Sequence, residues 1–171
     1  ITLNCATVPA NLIEAELFGL AAYENRQRET TGLVEAASGG TLFLDEIAEL
    51  PASAQARLLQ VVQGENRKVG QAQSMPVDVR IIAATHQNLD ECVREGSFRE
   101  DLFHRLNVIR IQLPALRDRR EDVPSLAEHF LAVAAREINT EPKHLGDDAK
   151  RALSDFLSLI HISEPTRPNN I

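Results

Sequence analysis

Tryptophan is missing from the 171 residues and tyrosine occurs once, which argues against an aromatic-rich β-sandwich. The interior has to be aliphatic, as in helices packed on a parallel sheet. Cysteine is nearly absent too. Cys5 and Cys92 stand alone, in no CxxC or CxxH cluster, so a zinc site is not expected and the usage suits a reducing cytosol. No apolar run reaches the ~18 residues that a membrane span needs, and no signal-peptide pattern opens the chain. The expected location is therefore cytoplasmic. Positive charge is in deficit: a formal net charge of -7 argues against a whole-chain nucleic-acid binder and leaves room only for a local basic patch. What is present is an ordinary globular composition, 43% hydrophobic, in a chain long enough for one core plus part of another domain.

The apolar pattern changes period along the chain. "ITLNC" reads as a strand, and "PANLIEAELFG" as a helix starting near Pro9 and stopping at Gly19. Residues 20–33 mix glutamates and arginines as a surface loop or frayed helical insertion, and "LVEAAS" is a short helix end closed by Gly39 and Gly40. "TLFLDE" has the near-continuous apolar character of an inner parallel strand. "SAQARLLQVVQ" is an amphipathic helix whose apolar stripe runs toward Leu58 and Val62. A turn or hairpin follows around "RKVG" and "MPVDV", then a strand over 79–85, a helix over 89–95 and a third strand in "NVIRIQL". Alternating strands and helices predict a wound α/β domain over 1–114. Pro114 breaks the pattern. "ALRDRREDV" forms a hinge in which arginines alternate with acids, so an interface or hinge is expected there, not a nucleic-acid patch. Helices from Val123 to about Ala135 and in "GDDAKRALSDFL" then begin a small helical subdomain over 115–157. The stretch 158–171, "SLIHISEPTRPNN" and onward, resembles translated adaptor sequence and is set aside as a non-native tail.

The chemistry concentrates in "GGTLFLDEI". Ligands of open α/β sheets bind at the carboxyl ends of the strands, and Asp45 and Glu46 close an apolar one. Asp45 there can hold Mg2+, which prefers oxygen donors and keeps several waters on phosphate substrates. Glu46 is then placed to polarise a water attacking a γ-phosphate. The alternative is a plain helix N-cap with an acidic neighbour favoured by the helix dipole. The residues alone weigh the two about evenly.

Longer motifs in order tip that balance. "NCATVPANLIEAELFG", "TLFLDEI", "IIAATHQNL", "GSFREDLFHRLNV" and "LPALRDRREDV" resemble the central AAA+ domain of bacterial enhancer-binding proteins that act with sigma-54 RNA polymerase, nearest to the nitrogen-regulator branch. The resemblance covers about residues 3–156 and implies a P-loop NTPase type of parallel sheet flanked by helices, followed by the start of a helical lid. It implies ATP and Mg2+ as cofactors, with Asp45 as magnesium ligand and Glu46 as water activator. Asn4 matches an asparagine that holds this glutamate inactive, and an amide can do so by donating to a carboxylate. Its bland alternative is a strand-end residue satisfying its own backbone. Thr85 and His86 fall in the sensor I region that feels the γ-phosphate; blandly, His86 is a strand-terminal histidine. Arg99 and Arg105 match arginines that reach the nucleotide of an adjacent subunit, worth ~10^3 to 10^5 in rate in well-studied NTPases. Surface ion pairing is their alternative. An arginine used in trans implies a ring, expected to be a hexamer.

Three family parts are not found. No GxxxxGK[ST] phosphate loop occurs, and no "WPGNVR" with its sensor II arginine. The GAFTGA loop that contacts the sigma factor is replaced by "LAAYENRQRETTG". DNA contact in the family belongs to a separate helix-turn-helix domain, also not found here. The leading expectation is a fragment of an ATP-dependent activator that remodels sigma-54 RNA polymerase. The alternative is a regulatory or scaffolding module that assembles in a ring without contacting sigma-54. Lacking the phosphate loop, this 171-residue chain should show no useful ATPase activity and no tight ATP binding in a stoichiometric titration.

Overall fold

A computed structural model describes residues 1–21, 30–141 and 143–159. Residues 22–29 of the expected insertion loop and 160–171 of the expected tail lie outside the described residues. The chain divides into two units, Ile1–Arg110 and Ile111–Ile171.

The first unit is organised by three short parallel strands, β1 (Thr2–Asn4), β2 (Gly40–Asp45) and β5 (Val79–Ala83), with β2 in the middle. Between them in the chain come helices α1 (Ile13–Phe18), α2 (Leu33–Ala36) and α3 (Ala52–Val62), and a small antiparallel hairpin of β3 (Glu65–Asn66) and β4 (Met75–Pro76). Helices α4 (Leu89–Glu95) and α5 (Glu100–Leu106) follow β5. The register sets Asn4 beside Asp45 and Leu44 beside Ala83, so all three strands end on one edge. Along β2 the residues alternate. Leu42 and Leu44 are fully buried in the core with Leu17, Phe18, Ile47 and Leu58, whereas Phe43 on the opposite face is only half-buried. Its register partner Ile82 is 45% exposed. The core thus gathers on one face of the sheet.

Local signals explain most boundaries. Backbone N–H groups of Leu12 and Ile13 both bond the Pro9 carbonyl, which opens the turn leading into α1. Asn88 caps α4 by accepting the Asp90 N–H, and Gly96 ends it in the left-handed conformation. In α3, Ala54, Gln55, Leu58 and Val61 face the core, so the stripe passes through Leu58 as expected but turns in Val61 and leaves Val62 half-buried. The expected third strand in "NVIRIQL" does not form. Val108, Ile109, Ile111 and Leu113 are 76–80% exposed, because a parallel strand is stable only when its N–H and C=O groups meet a neighbour and none lies alongside among the described residues. A helix stands where none was expected. In α5, Leu102 and Phe103 are buried against the core, and that burial outweighs a short, charged sequence.

The second unit contains α6 (Val123–Glu137) and α7 (Asp147–Leu159). Pro124 sits in the first turn of α6, where its missing N–H costs nothing. Lys150 of α7 pairs with Glu128 of α6 at 2.6 Å.

Where α1 ends, the backbone doubles back on itself. Leu20 and Thr30 exchange backbone hydrogen bonds of 3.2 and 3.0 Å, and Gly19 lies against Gly32. A methyl group on Gly32 would run into Gly19 N, Phe18 C and Leu17 O, all backbone atoms. Gly32→Ala should therefore cost about 3 kcal/mol, the upper end for overpacking, because none of those atoms can swing away. Gly39 has open space around it and only a positive φ of 74° to lose, so Gly39→Ala should cost about 1 kcal/mol. Urea unfolding of the two variants measures the difference.

Candidate functional site at the carboxyl edge of the sheet

The parallel register brings residues from three strands to one edge. Asn4 ends β1, Asp45 ends β2, and Thr85 and His86 follow β5. The backbone ties them down: Cys5 N–H donates to the Asp45 carbonyl at 2.9 Å, Ala84 N–H to Leu44 at 2.8 Å, and Ile47 N–H to Ala84 at 3.0 Å. Asn4, Asp45, Glu46, Thr85 and His86 therefore form one cluster. Arg99 and Arg105 stand apart on α5 and its N-cap. Among the described residues no hydrogen bond or ion pair joins either to the cluster.

Glu46 adopts φ 53° and ψ 49°, the left-handed region that a side chain with a Cβ rarely enters. The kink lets the strand end on Asp45 while Ile47 returns to the core fully buried. It also turns the Glu46 carboxylate toward β5. His86 Nδ1 lies 2.8 Å from both of its oxygens, Thr85 Oγ1 donates at 3.4 Å, and the His86 N–H approaches Oε2 at 3.4 Å. Asn4 engages the other acid: its Nδ2 donates to Asp45 Oδ2 at 3.3 Å, and its own Oδ1 accepts the Ala6 N–H. Asp45 Oδ1 accepts the N–H of Glu46. In this structure the amide of Asn4 thus holds the aspartate, and the histidine holds the glutamate.

The electrostatics follow from those contacts. The His86 hydrogen bond, foremost, holds the Glu46 carboxyl below its ordinary 4.5, with burial opposing it. Cys5, buried behind the pair, is pushed up to about 11 by burial and then by the charges of Asp45 and Glu46. It is a packed, unreactive thiol. On α5 the Arg99 guanidinium lies against Asp101, with Nε to Oδ1 at 3.0 Å and Nη2 to Oδ2 at 2.6 Å. That hydrogen bond is the main reason Arg99 is raised and Asp101 lowered. Arg105 is exposed in the last turn of the same helix.

Among the described residues no group of three or more His, Cys, Asp or Glu side chains could hold a metal ion. A cation here would have one hard oxygen donor from the protein, Asp45, with water and substrate oxygens supplying the rest. That is the donor set of a magnesium ion on a phosphate ester and unlike a transition-metal site. Two features of the cluster escape sequence reasoning. The positive φ of Glu46 has no local signal, since glutamate has no left-handed preference. The His86–Glu46 pairing joins residues 40 apart in sequence.

A family model for the sigma-54 interaction domain matches residues 1–112, and one for the AAA+ ATPase lid domain matches 117–156. The chain belongs to the sigma-54 interaction domain family. It is 55% identical over 157 residues to the DNA-binding transcriptional regulator NtrC of Escherichia coli K12, covering 90% of this chain and 34% of that protein. It is 48% identical over 155 residues to the transcriptional regulatory protein XylR of Pseudomonas putida, covering 89% and 27%. The chain thus spans about a third of the length of the curated relatives it matches. Among solved structures, NtrX from Brucella abortus aligns with a TM-score of 0.78 at 37% identity, over 99% of this chain and 42% of that one. NtrX has also been solved in complex with ATP, and that chain aligns with a TM-score of 0.77. The parallel sheet flanked by helices, followed by a helical lid region, is the AAA+ architecture.

The geometry sets the sign of one titration. A carboxyl group with a depressed pKa stabilises its contact above the unfolded value and loses it as pH falls through the folded one. Following the Glu46 side-chain carboxyl by NMR should therefore show a midpoint below 4.5, returning toward 4.5 in His86→Ala. A midpoint unmoved by that substitution contradicts the pairing.

Proposed function

We propose that this domain hydrolyses ATP within a ring of identical subunits, a hexamer, and in the full-length protein uses that hydrolysis to remodel sigma-54 RNA polymerase at promoters in the cytoplasm. The observation that carries the reading is the adjacent Asp45–Glu46 pair at the carboxyl edge of the central strand, with Glu46 turned into the cluster by a left-handed backbone. Family membership and the relative solved with ATP support it.

In this reading Asp45 would hold the Mg2+ that neutralises charge on the triphosphate. Glu46 takes the proton of the attacking water, while Thr85 and His86 line the position of the γ-phosphate. In the structure both the glutamate and the arginine have partners within the chain. Glu46 is engaged by His86, and Arg99 by its own Asp101. To act as a base, Glu46 has to leave the histidine. To reach a neighbouring subunit, Arg99 has to exchange Asp101 for phosphoryl oxygens. Each surrendered contact is a charge-assisted hydrogen bond, replaced by another of the same kind. Switching is therefore an exchange of partners, with little net cost. Asn4 orients Asp45 through the amide it donates.

The segment "LAAYENRQRETTG" supports the alternative of a ring-forming regulator that does not contact sigma-54, since it lacks the apolar tip of a GAFTGA loop. Grafting that hexapeptide into the full-length protein separates the two. Restored open-complex formation favours the activator, and assembly without it favours the scaffold.

Glu46→Gln in the full-length protein should keep ATP binding and lower turnover by about 10^2 to 10^4-fold, the ordinary range for loss of a general base. Unchanged turnover in a steady-state phosphate-release assay would remove Glu46 from the mechanism.

A further inference from the structure

Among the described residues, Gln55 is the buried polar side chain of the first unit with the fullest set of hydrogen bonds. It lies on α3 with 1% of its surface exposed, among the leucines of the core. Its Nε2 donates to the Leu50 carbonyl at 2.8 Å and to the Ser97 carbonyl at 3.0 Å, and its Oε1 accepts the Arg99 N–H at 2.8 Å. Both donors and the acceptor oxygen are thereby engaged, each by backbone. The two segments it joins are far apart in sequence. Leu50 closes the turn that begins at Glu46, a turn held at its start by the Ile47–Ala84 hydrogen bond and at its end by Leu50 N–H on Ile47. Ser97 to Arg99 is the link between α4 and α5. Ser97 and Phe98 both bond the Cys92 carbonyl, Phe98 is 2% exposed, and Arg99 is the N-cap of α5.

One buried amide therefore connects the turn after the carboxylate pair to the backbone from which Arg99 springs. The Arg99 guanidinium itself is half-exposed and, among the described residues, pairs only with Asp101 on its own helix. A long side chain that works on another molecule is only as well placed as its origin. That origin is set by Gln55.

We propose that Gln55 is a positioning residue that fixes the start of Arg99 relative to the Asp45–Glu46 turn, so that movement of the turn on nucleotide binding is carried to the arginine the same subunit offers its neighbour. The proposal rests on the ring-ATPase reading above. No residue other than glutamine or asparagine supplies two donors and an uncharged acceptor in that plane, and asparagine is a methylene too short to span the gap from α3.

The test uses the full-length protein with Gln55→Met, which keeps the volume and removes the hydrogen bonds, together with Arg99→Ala and Glu46→Gln. Alone, Gln55→Met should lower ATP turnover by about 10^2-fold, as expected for a misplaced group remote from the chemistry, with KM little changed. Mixed in equal amounts with Glu46→Gln, it should regain activity. In the mixed ring the intact carboxylates of the methionine variant meet a normally held Arg99 from the glutamine variant. A structural role inside its own subunit would not be rescued that way. Arg99→Ala mixed with Glu46→Gln tests the underlying reading separately: no recovery there means that the arginine does not act in trans. Recovery with Arg99→Ala but not with Gln55→Met overturns the proposal alone, and so does unchanged turnover in Gln55→Met. If Gln55→Met does not fold, hydrogen exchange at the Arg99 amide of the unsubstituted protein decides. Protection that changes on adding magnesium and a non-hydrolysable ATP analogue supports the coupling, and unchanged protection overturns it.

Discussion

A strand that must stop on a charge and a core that resumes two residues later impose the constraint on which this domain turns. Leu44 is fully buried, Asp45 is half-buried at the sheet edge, and Ile47 is fully buried again. Only a sharp reversal at Glu46 reconciles these demands, and the backbone accepts a left-handed conformation there. Such a conformation costs on the order of 1–2 kcal/mol for a residue with a Cβ and persists because its surroundings over-determine it. Ile47 bonded to Ala84, Glu46 bonded to His86 and Leu50 bonded to Gln55 are those surroundings. The strain sits on the residue proposed above to act on water.

The same economy of partners appears twice. A carboxylate and a guanidinium, each partly exposed, are both engaged within the chain, one by His86 and the other by Asp101. Leaving either bare would not cost much stability, since exposed pairs are worth little. The pairs serve geometry instead. They hold each group in a defined rotamer; in the reading proposed above, the guanidinium leaves its partner for phosphoryl oxygens and the carboxylate leaves its partner for a water.

Much of this was readable from the residues because the relevant signals are local. Glycines, four strand-forming residues and two acids announce β2 and its edge. Asn88 and Gly96 bracket α4, and Pro124 opens α6. Where the reading failed, the missing information was tertiary. The alternation in "NVIRIQL" shows that a segment suits a sheet, yet pairing needs a neighbour, and the described residues provide none. Helix α5 has too few residues to declare itself and is held by the burial of Leu102 and Phe103. The α3 stripe differs by one residue in phase, because Val61 and Val62 are chemically alike and only the core distinguishes them. Asn4 on Asp45 and His86 on Glu46 join residues some 40 positions apart, beyond the reach of any spacing rule.

The pinch at the end of α1 has a consequence for the two glycines that form it. Gly19 and Gly32 touch through backbone, and Leu20 pairs with Thr30, so the chain leaves and re-enters the scaffold at a single point. The Ala21 N–H donates to the Val69 carbonyl, so that point is also tied to the segment between β3 and β4. A side chain at either glycine would push the two backbones apart. The crossing therefore locks both positions at once: neither glycine can be replaced without moving the other.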